Sequence, residues 1–163
     1  MESIQVRTAA RKPLNLTVPN TSVMILPPVL GHPSLNLSAI AVWQAGHAYV
    51  YGDYVRHGKN FYWCVTVAGG NSGATPPTHA DGDATDGTLL WRKMHYGRNA
   101  VTLTNTASAG RICICRGNAA EDLHGIVLAP YGSHNEGFGG PMPYDGPWYA
   151  ISDGSRVLAI SEG

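Results

Sequence analysis

Seven histidines are the first residues to test for chemistry: His32, His47, His57, His79, His95, His124 and His134. They are scattered, mostly in stretches rich in turn-forming residues, and none has the HExxH partner that would hold zinc on one helix face. Ser133, His134 and Asp145 supply the residue types of a nucleophilic triad, but no Gly-x-Ser-x-Gly turn presents the serine. Asp81, Asp83 and Asp86 are spaced like the start of a calcium loop, yet the glutamate that closes an EF-hand is absent. Nor do two carboxylates stand in a pattern recognisable for glycoside hydrolysis. The expectation is a non-enzyme with no cofactor and no bound metal, its histidines and aspartates on solvated loops.

The cysteines point the same way. Cys113 and Cys115 alternate with isoleucines in Arg111-Ile112-Cys113-Ile114-Cys115-Arg116, a strand pattern that turns both thiols to one face in poor geometry for a mutual bridge. Cys64 lies in another apolar run, and no CxxC pair signals zinc. Three buried free thiols are expected, which suits folding in a reducing cytoplasm.

Composition says what must position these side chains. Eleven Lys and Arg balance eleven Asp and Glu, and only 13% of the 163 residues are charged, against about 25% in an ordinary soluble domain. Neither a nucleic-acid partner nor a membrane surface is implied by that balance. The 20 glycines and 11 prolines disfavour long helices, while a hydrophobic content of 44% disfavours disorder. An all-β protein rich in turns remains, and its weakly charged, neutral surface suits life inside an assembly. No run reaches the ~18 apolar residues of a membrane helix. The stretch Met1-Glu2-Ser3-Ile4-Gln5-Val6-Arg7 lacks the pattern of a secretion leader. Arg7, Arg11 and Lys12 form the one basic group, better suited to an acidic protein surface or solvent than to DNA.

Strands are expected at 3–7, at Leu14–Val18, which alternates, and at Val23–Leu26, closed by Pro27-Pro28. Residues 29–40 read as a connector. Tyr54–His57 and Asn60–Val67 flank Gly58-Lys59 as a hairpin, and 69–88 reads mostly as loop. Further strands are expected at 100–104, 111–116 and 125–130, with a long loop over 132–147. Trp148–Ser152 and Arg156–Ile160 flank Asp153-Gly154-Ser155 as a second hairpin. The only helical candidate, 118–123, is short and reads equally well as a loop. The outer segments, 1–40 and 97–163, are each short of strands, whereas 41–96 has aromatic and glycine landmarks of its own. The architecture implied is a β-sandwich, jelly-roll-like or immunoglobulin-like, built by 1–40 plus 97–163 with 41–96 inserted as a small β module.

In the middle unit, Trp43, Tyr49, Gly52-Asp53, Val55, Gly58, Tyr62, Pro76-Pro77, Asp86-Gly87-Thr88 and Trp91 follow one another in a set order. In this it resembles the small chitin- and cellulose-binding modules of glycoside hydrolases and of phage tail and virion proteins. Physically, Trp43 and Trp91 would anchor a small core with Tyr49 and Tyr62, and Asp53 would fix its turn. The resemblance implies sugar binding by exposed aromatics. The adjacent pair that forms the stacking platform is not matched after Tyr62, where Trp63-Cys64 follows, so the candidates are Trp63, Tyr51 and Tyr54.

The last unit carries Arg111, the segment 125–130, the glycine-rich 132–140, Trp148–Ile151 and Val157–Glu162. It is similar to small β-rich proteins of phage heads and tails. Together the two resemblances imply a non-enzymatic virion protein, folded in the host cytoplasm. Its expected role is capsid decoration: cementing the shell on the major capsid protein, as a homo-oligomer such as a trimer, and displaying the module outward. The alternative is a tail-fibre or baseplate adhesin that binds a cell-surface glycan.

Overall fold

The computed structural model describes residues 14–137 and 143–162; the expected strand at 3–7 and the basic group Arg7, Arg11 and Lys12 lie outside them. The outer segments supply eight strands: β1 (Leu14–Val18), β2 (Val23–Leu26), β10 (Ala100–Asn105), β11 (Ile112–Arg116), β12 (Ile126–Leu128), β13 (Ser133–Gly137), β14 (Trp148–Ser152) and β15 (Arg156–Glu162). The middle segment supplies seven: β3 (Ala41–Val42), β4 (Ala48–Tyr49), β5 (Tyr54–His57), β6 (Asn60–Cys64), β7 (Gly70–Asn71), β8 (Asp83–Asp86) and β9 (Leu89–Lys93).

Alternation explains the sandwich. In β1, Leu14, Leu16 and Val18 are buried while Asn15 and Thr17 face out. Across the gap, Ile112 and Ile114 of β11 and Trp148 and Ala150 of β14 meet Leu103, Leu158 and Ile160 in one buried cluster. The first sheet runs β1-β15-β10-β13 and the second β12-β11-β14-β2, all pairs antiparallel. Counted along the sandwich strands alone, that is first-eighth-third-sixth against fifth-fourth-seventh-second. This order is a jelly roll, two interleaved Greek keys, and it settles the choice between the two sandwich types.

Two local expectations are corrected, and the candidate at 118–123 takes its loop alternative. Trp148–Ser152 and Arg156–Glu162 do not form a hairpin. The turn at Asp153–Ser155 carries the chain from one sheet to the other, because β14 pairs with β11 and β2 while β15 pairs with β1 and β10. The stretches read as loops hold β7 and β8 in one case and β13 in the other. Their sequences, Gly-Asn, Asp-Ala-Thr-Asp and Ser-His-Asn-Glu-Gly, have poor strand propensity. They become strands because β4, β9 and β10 offer unpaired edges. The helical candidate at 118–123 is turn and bend. Among the described residues, no helix is long and apolar enough to cross a membrane.

The middle segment folds into a five-stranded sheet, β3-β5-β6-β9-β8, and a two-stranded ribbon, β4-β7. It leaves the sandwich after β2 and returns before β10. The β5–β6 hairpin forms as its turn predicts, with Gly58 at φ +59°.

Candidate functional site

The module is closed by one carboxylate. Asp86 ends β8, is buried, and its Oδ2 accepts hydrogen bonds from both indoles, Trp43 Nε1 at 2.8 Å and Trp91 Nε1 at 3.2 Å. Its Oδ1 accepts from the Gly73 amide at 2.6 Å. A second set of contacts braces the same core. Tyr49 packs edge-on against Trp91, with ring centres 5.0 Å apart, and its hydroxyl accepts from the Gln44 amide. Tyr62 is buried beside them and donates to the His79 carbonyl. Asp53 fixes its turn as expected, Oδ2 accepting from the Val50 amide at 2.8 Å after Gly52 at φ +93°.

The aromatics picked as a sugar platform lie elsewhere. Trp63 is 0% exposed and belongs to the sandwich core cluster with Leu26, Leu30, Val65 and Met94, so it has no face to offer a sugar. The cause is strand alternation. On β6, Tyr62 faces the module core, so Trp63 faces the opposite side, where the jelly roll covers it. Tyr51 stacks edge-on against Trp63 and donates to the Met24 carbonyl at 2.6 Å. Tyr54 meets Met24 Sδ at 3.7 Å. Burial raises both phenols, Tyr54 to about 12. All three form the seam between module and sandwich. The Trp63 indole nitrogen has no hydrogen-bond partner among the described residues. Trp63→Phe is therefore expected to cost only about 1–2 kcal/mol, from lost volume, and Trp63→Ala about 3–5 kcal/mol; urea unfolding of both variants measures the difference.

A chain of charges crosses the same seam. Asp83 on β8 holds Arg92 of β9 through two bonds, 2.7 and 2.9 Å. Arg92 stands 4.0 Å from Glu162 of β15, which accepts from Arg98 Nε at 2.8 Å. Arg98, buried in the return linker, also donates to the carbonyls of Pro27, Tyr144 and Gly146. No sequence pattern marks Arg98, which follows Gly97 without periodicity or repeat. It binds by shape, since one planar fork satisfies several acceptors that would otherwise be buried unpaired.

The other chemical candidates are occupied separately. Asp81 pairs with His95, Asp83 with Arg92, and Asp86 with the indoles. No group of His, Cys, Asp or Glu that could hold a metal occurs among the described residues. Ser133 Oγ contacts Thr104 Oγ1, His134 contacts Glu136, and Asp145 accepts from the Arg98 amide, so the three triad types do not meet one another. The cysteines are free; Cys64 and Cys113 are buried as expected, but Cys115 is half-exposed at the edge of the β11–β12 hairpin. Burial raises the Cys64 and Cys113 thiols.

Two histidines resist protonation. Burial holds His79 below the usual imidazole value; among the described residues its Nδ1 has no partner, while Nε2 donates to the Gly82 carbonyl. Burial, then the nearby Arg116 charge, lowers His134. Each takes up a proton more readily in the unfolded chain. The stability they allow is complete above about pH 6.5 and is lost as pH falls toward the folded values. The melting temperature should therefore be lower at pH 5 than at pH 7.5, and the difference should shrink in His79→Gln; calorimetry at both pH values decides it.

No protein-family model matches the chain, and no curated protein matches it.

Proposed function

We propose that the protein is a non-enzymatic virion structural protein that docks on a capsid shell and holds its module outward. The observation that carries this reading is the jelly roll with a module fixed into it between the second and third strands. Jelly rolls are recurrent capsid-building domains, and their sheet faces and strand edges suit lateral packing. The seam of Trp63, Tyr51 and Tyr54, together with the Asp83–Arg92–Glu162–Arg98 chain, supports a stiff display rather than a tethered one. The near absence of net charge fits a part that associates through apolar area and backbone pairing. Cementing would work by bridging neighbouring capsid subunits, so that internal pressure must break both sets of contacts. The partner is the major capsid protein, and the assembly is a symmetric oligomer such as a trimer.

The experiment mixes the purified protein with DNA-filled and with emptied shells of the particle that encodes it, followed by sedimentation. Co-sedimentation, with a higher temperature of shell rupture, is expected. Failure to bind either shell rejects the reading.

A further inference from the structure

The strand β12 is an open edge without a guard. It pairs with β11 on one side and, among the described residues, with no strand on the other. Its sequence, Ile-Val-Leu, has neither the charge nor the proline that discourages a further strand. The opposite edge of the same sheet, β2, is different, because Tyr51 of the module already donates to the Met24 carbonyl there.

Around β12 the chain displays apolar side chains. Leu123, just before it, is 64% exposed and Tyr131, just after it, 68%, with Val127 between them at 45%. Among the described residues Leu123 and Tyr131 alone combine a side chain with positive φ, 62° and 57°. Bulky residues rarely adopt that backbone, and such strain is found where a surface has a use. An open pocket of about 560 Å³ lies beside the edge, reaching Ile114 and Ile126, with Glu121, His124 and His134 in its polar lining.

Residues 3–7 match this edge. Ile4 and Val6 alternate with Ser3, Gln5 and Arg7. Added to β12 as a strand, they put both apolar side chains on one face and Arg7 on the other. The charges also match. Glu121 and Asp122, whose partners are His124 and Arg111, stand exposed ahead of β12, while the chain before Leu14 carries Arg7, Arg11 and Lys12 against one acid, Glu2. Reach decides whose edge is used. β12 and β13 close one flank of the sandwich and β1 the other. From Arg7 to Leu14 the chain spans about 23 Å at most. Passing around its own sandwich means crossing about 14 Å of sheet and about 10 Å between sheets, outside all the side chains. A neighbouring copy can set its β12 directly beside β1.

We infer that residues 3–7 of one copy add as an edge strand to β12 of a second copy, with Ile4 and Val6 in the pocket beside Ile126. The contact is head-to-tail, so that repeating it closes a ring. It rests on the oligomer of the reading above, whose contact it names, but it needs no shell.

Sedimentation velocity of the full chain, with no shell present, tests it, so a failure to bind shells is a separate result. The parent should sediment as a closed oligomer. Two variants should each sediment as monomers, with association weakened by about tenfold or more. One is Ile4→Asp with Val6→Asp, which spoils the arm; the other is Val127→Lys, which puts a guarding charge on the edge. Mixed together they should form a one-to-one dimer, because the intact arm of the second still meets the intact β12 of the first. Glu121→Lys, at a well-exposed position, should weaken the parent oligomer and checks the edge by a second route. Circular dichroism melting near the parent's shows that each variant is folded. The inference is overturned if the parent is a monomer, if either of the two variants keeps the parent's oligomer, or if their mixture stays monomeric.

Discussion

Asp86→Ala should lower stability by about 3–5 kcal/mol, which for a chain of this size is a fall of roughly 10 °C in melting temperature. The carboxylate receives three donors, two indole N–H groups and one amide, and the core around it is small. Alanine strands all three donors away from water. Asparagine should rescue little. Its amide group has one acceptor oxygen, so its NH₂ must face either the two indoles or the Gly73 amide, a donor against a donor. The prediction extends to cooperativity. Trp63, Val65 and Met94 lie in the sandwich cluster, so the parent should melt in one transition. In Asp86→Ala, the module should lose protection from hydrogen exchange before the sandwich does. A melting temperature within 2 °C or so of the parent would show that the carboxylate does not hold the module shut.

Arg98→Met should be comparably damaging, about 3–5 kcal/mol, although methionine fills much of the same volume. The loss comes from what is left behind: the buried Glu162 carboxylate loses its 2.8 Å partner, and the Pro27, Tyr144 and Gly146 carbonyls lose their donor. Lysine should not restore stability, because a single ammonium cannot span acceptors set around a planar fork. The double variant Arg98→Met, Glu162→Gln should be more stable than the sum of the single losses implies, since it also removes the carboxylate that had lost its 2.8 Å donor. Chemical unfolding of the two single variants and the double one measures that coupling. Additive losses would mean that the two side chains do not act on each other.

Much of this fold was legible in sequence, and the parts that were not have physical reasons. Leu14–Val18 and the Gly58 turn declared themselves because each is settled by neighbours in the chain: alternation in one case, a left-handed turn in the other. The aromatic landmarks Trp43, Tyr49, Tyr62 and Trp91 fall in the segment that forms the β3-β5-β6-β9-β8 sheet and the β4-β7 ribbon. By contrast, β8 and β13 contain Asp, Asn and Gly, and become strands only when β9 and β10 offer an open edge. The Asp153–Ser155 turn has the residues of a hairpin, and nothing local says that its two arms belong to different sheets. Trp63 was misread for a related reason. Period-two alternation placed it opposite Tyr62, but that face meets another part of the protein rather than solvent. The bonds that tie residues 29–30, 95–98 and 144–146 together left no mark in the sequence, since these stretches are far apart in the chain.

The pairing of β1 with β15 also sets an order of events during synthesis. Leu14–Val18 hydrogen-bonds to Arg156–Ile160, the most distant pairing in the jelly roll, and β10 waits for the same strand. Among the described residues β3 to β9 pair only with one another, so a growing chain can form these strand pairs before β10 emerges, while the Trp63 face waits for the sandwich. The sheet β1-β15-β10-β13 cannot close until Arg156–Glu162 has left the ribosome, which leaves Leu14 and Leu16 uncovered while residues 19–155 are made. Closing so long a loop is slow, and exposed strand edges invite mispairing meanwhile. Nascent chains released before Arg156 should therefore hold a knob of paired strands on an aggregation-prone stalk, and chaperone demand should fall sharply once the last strand zips between β1 and β10.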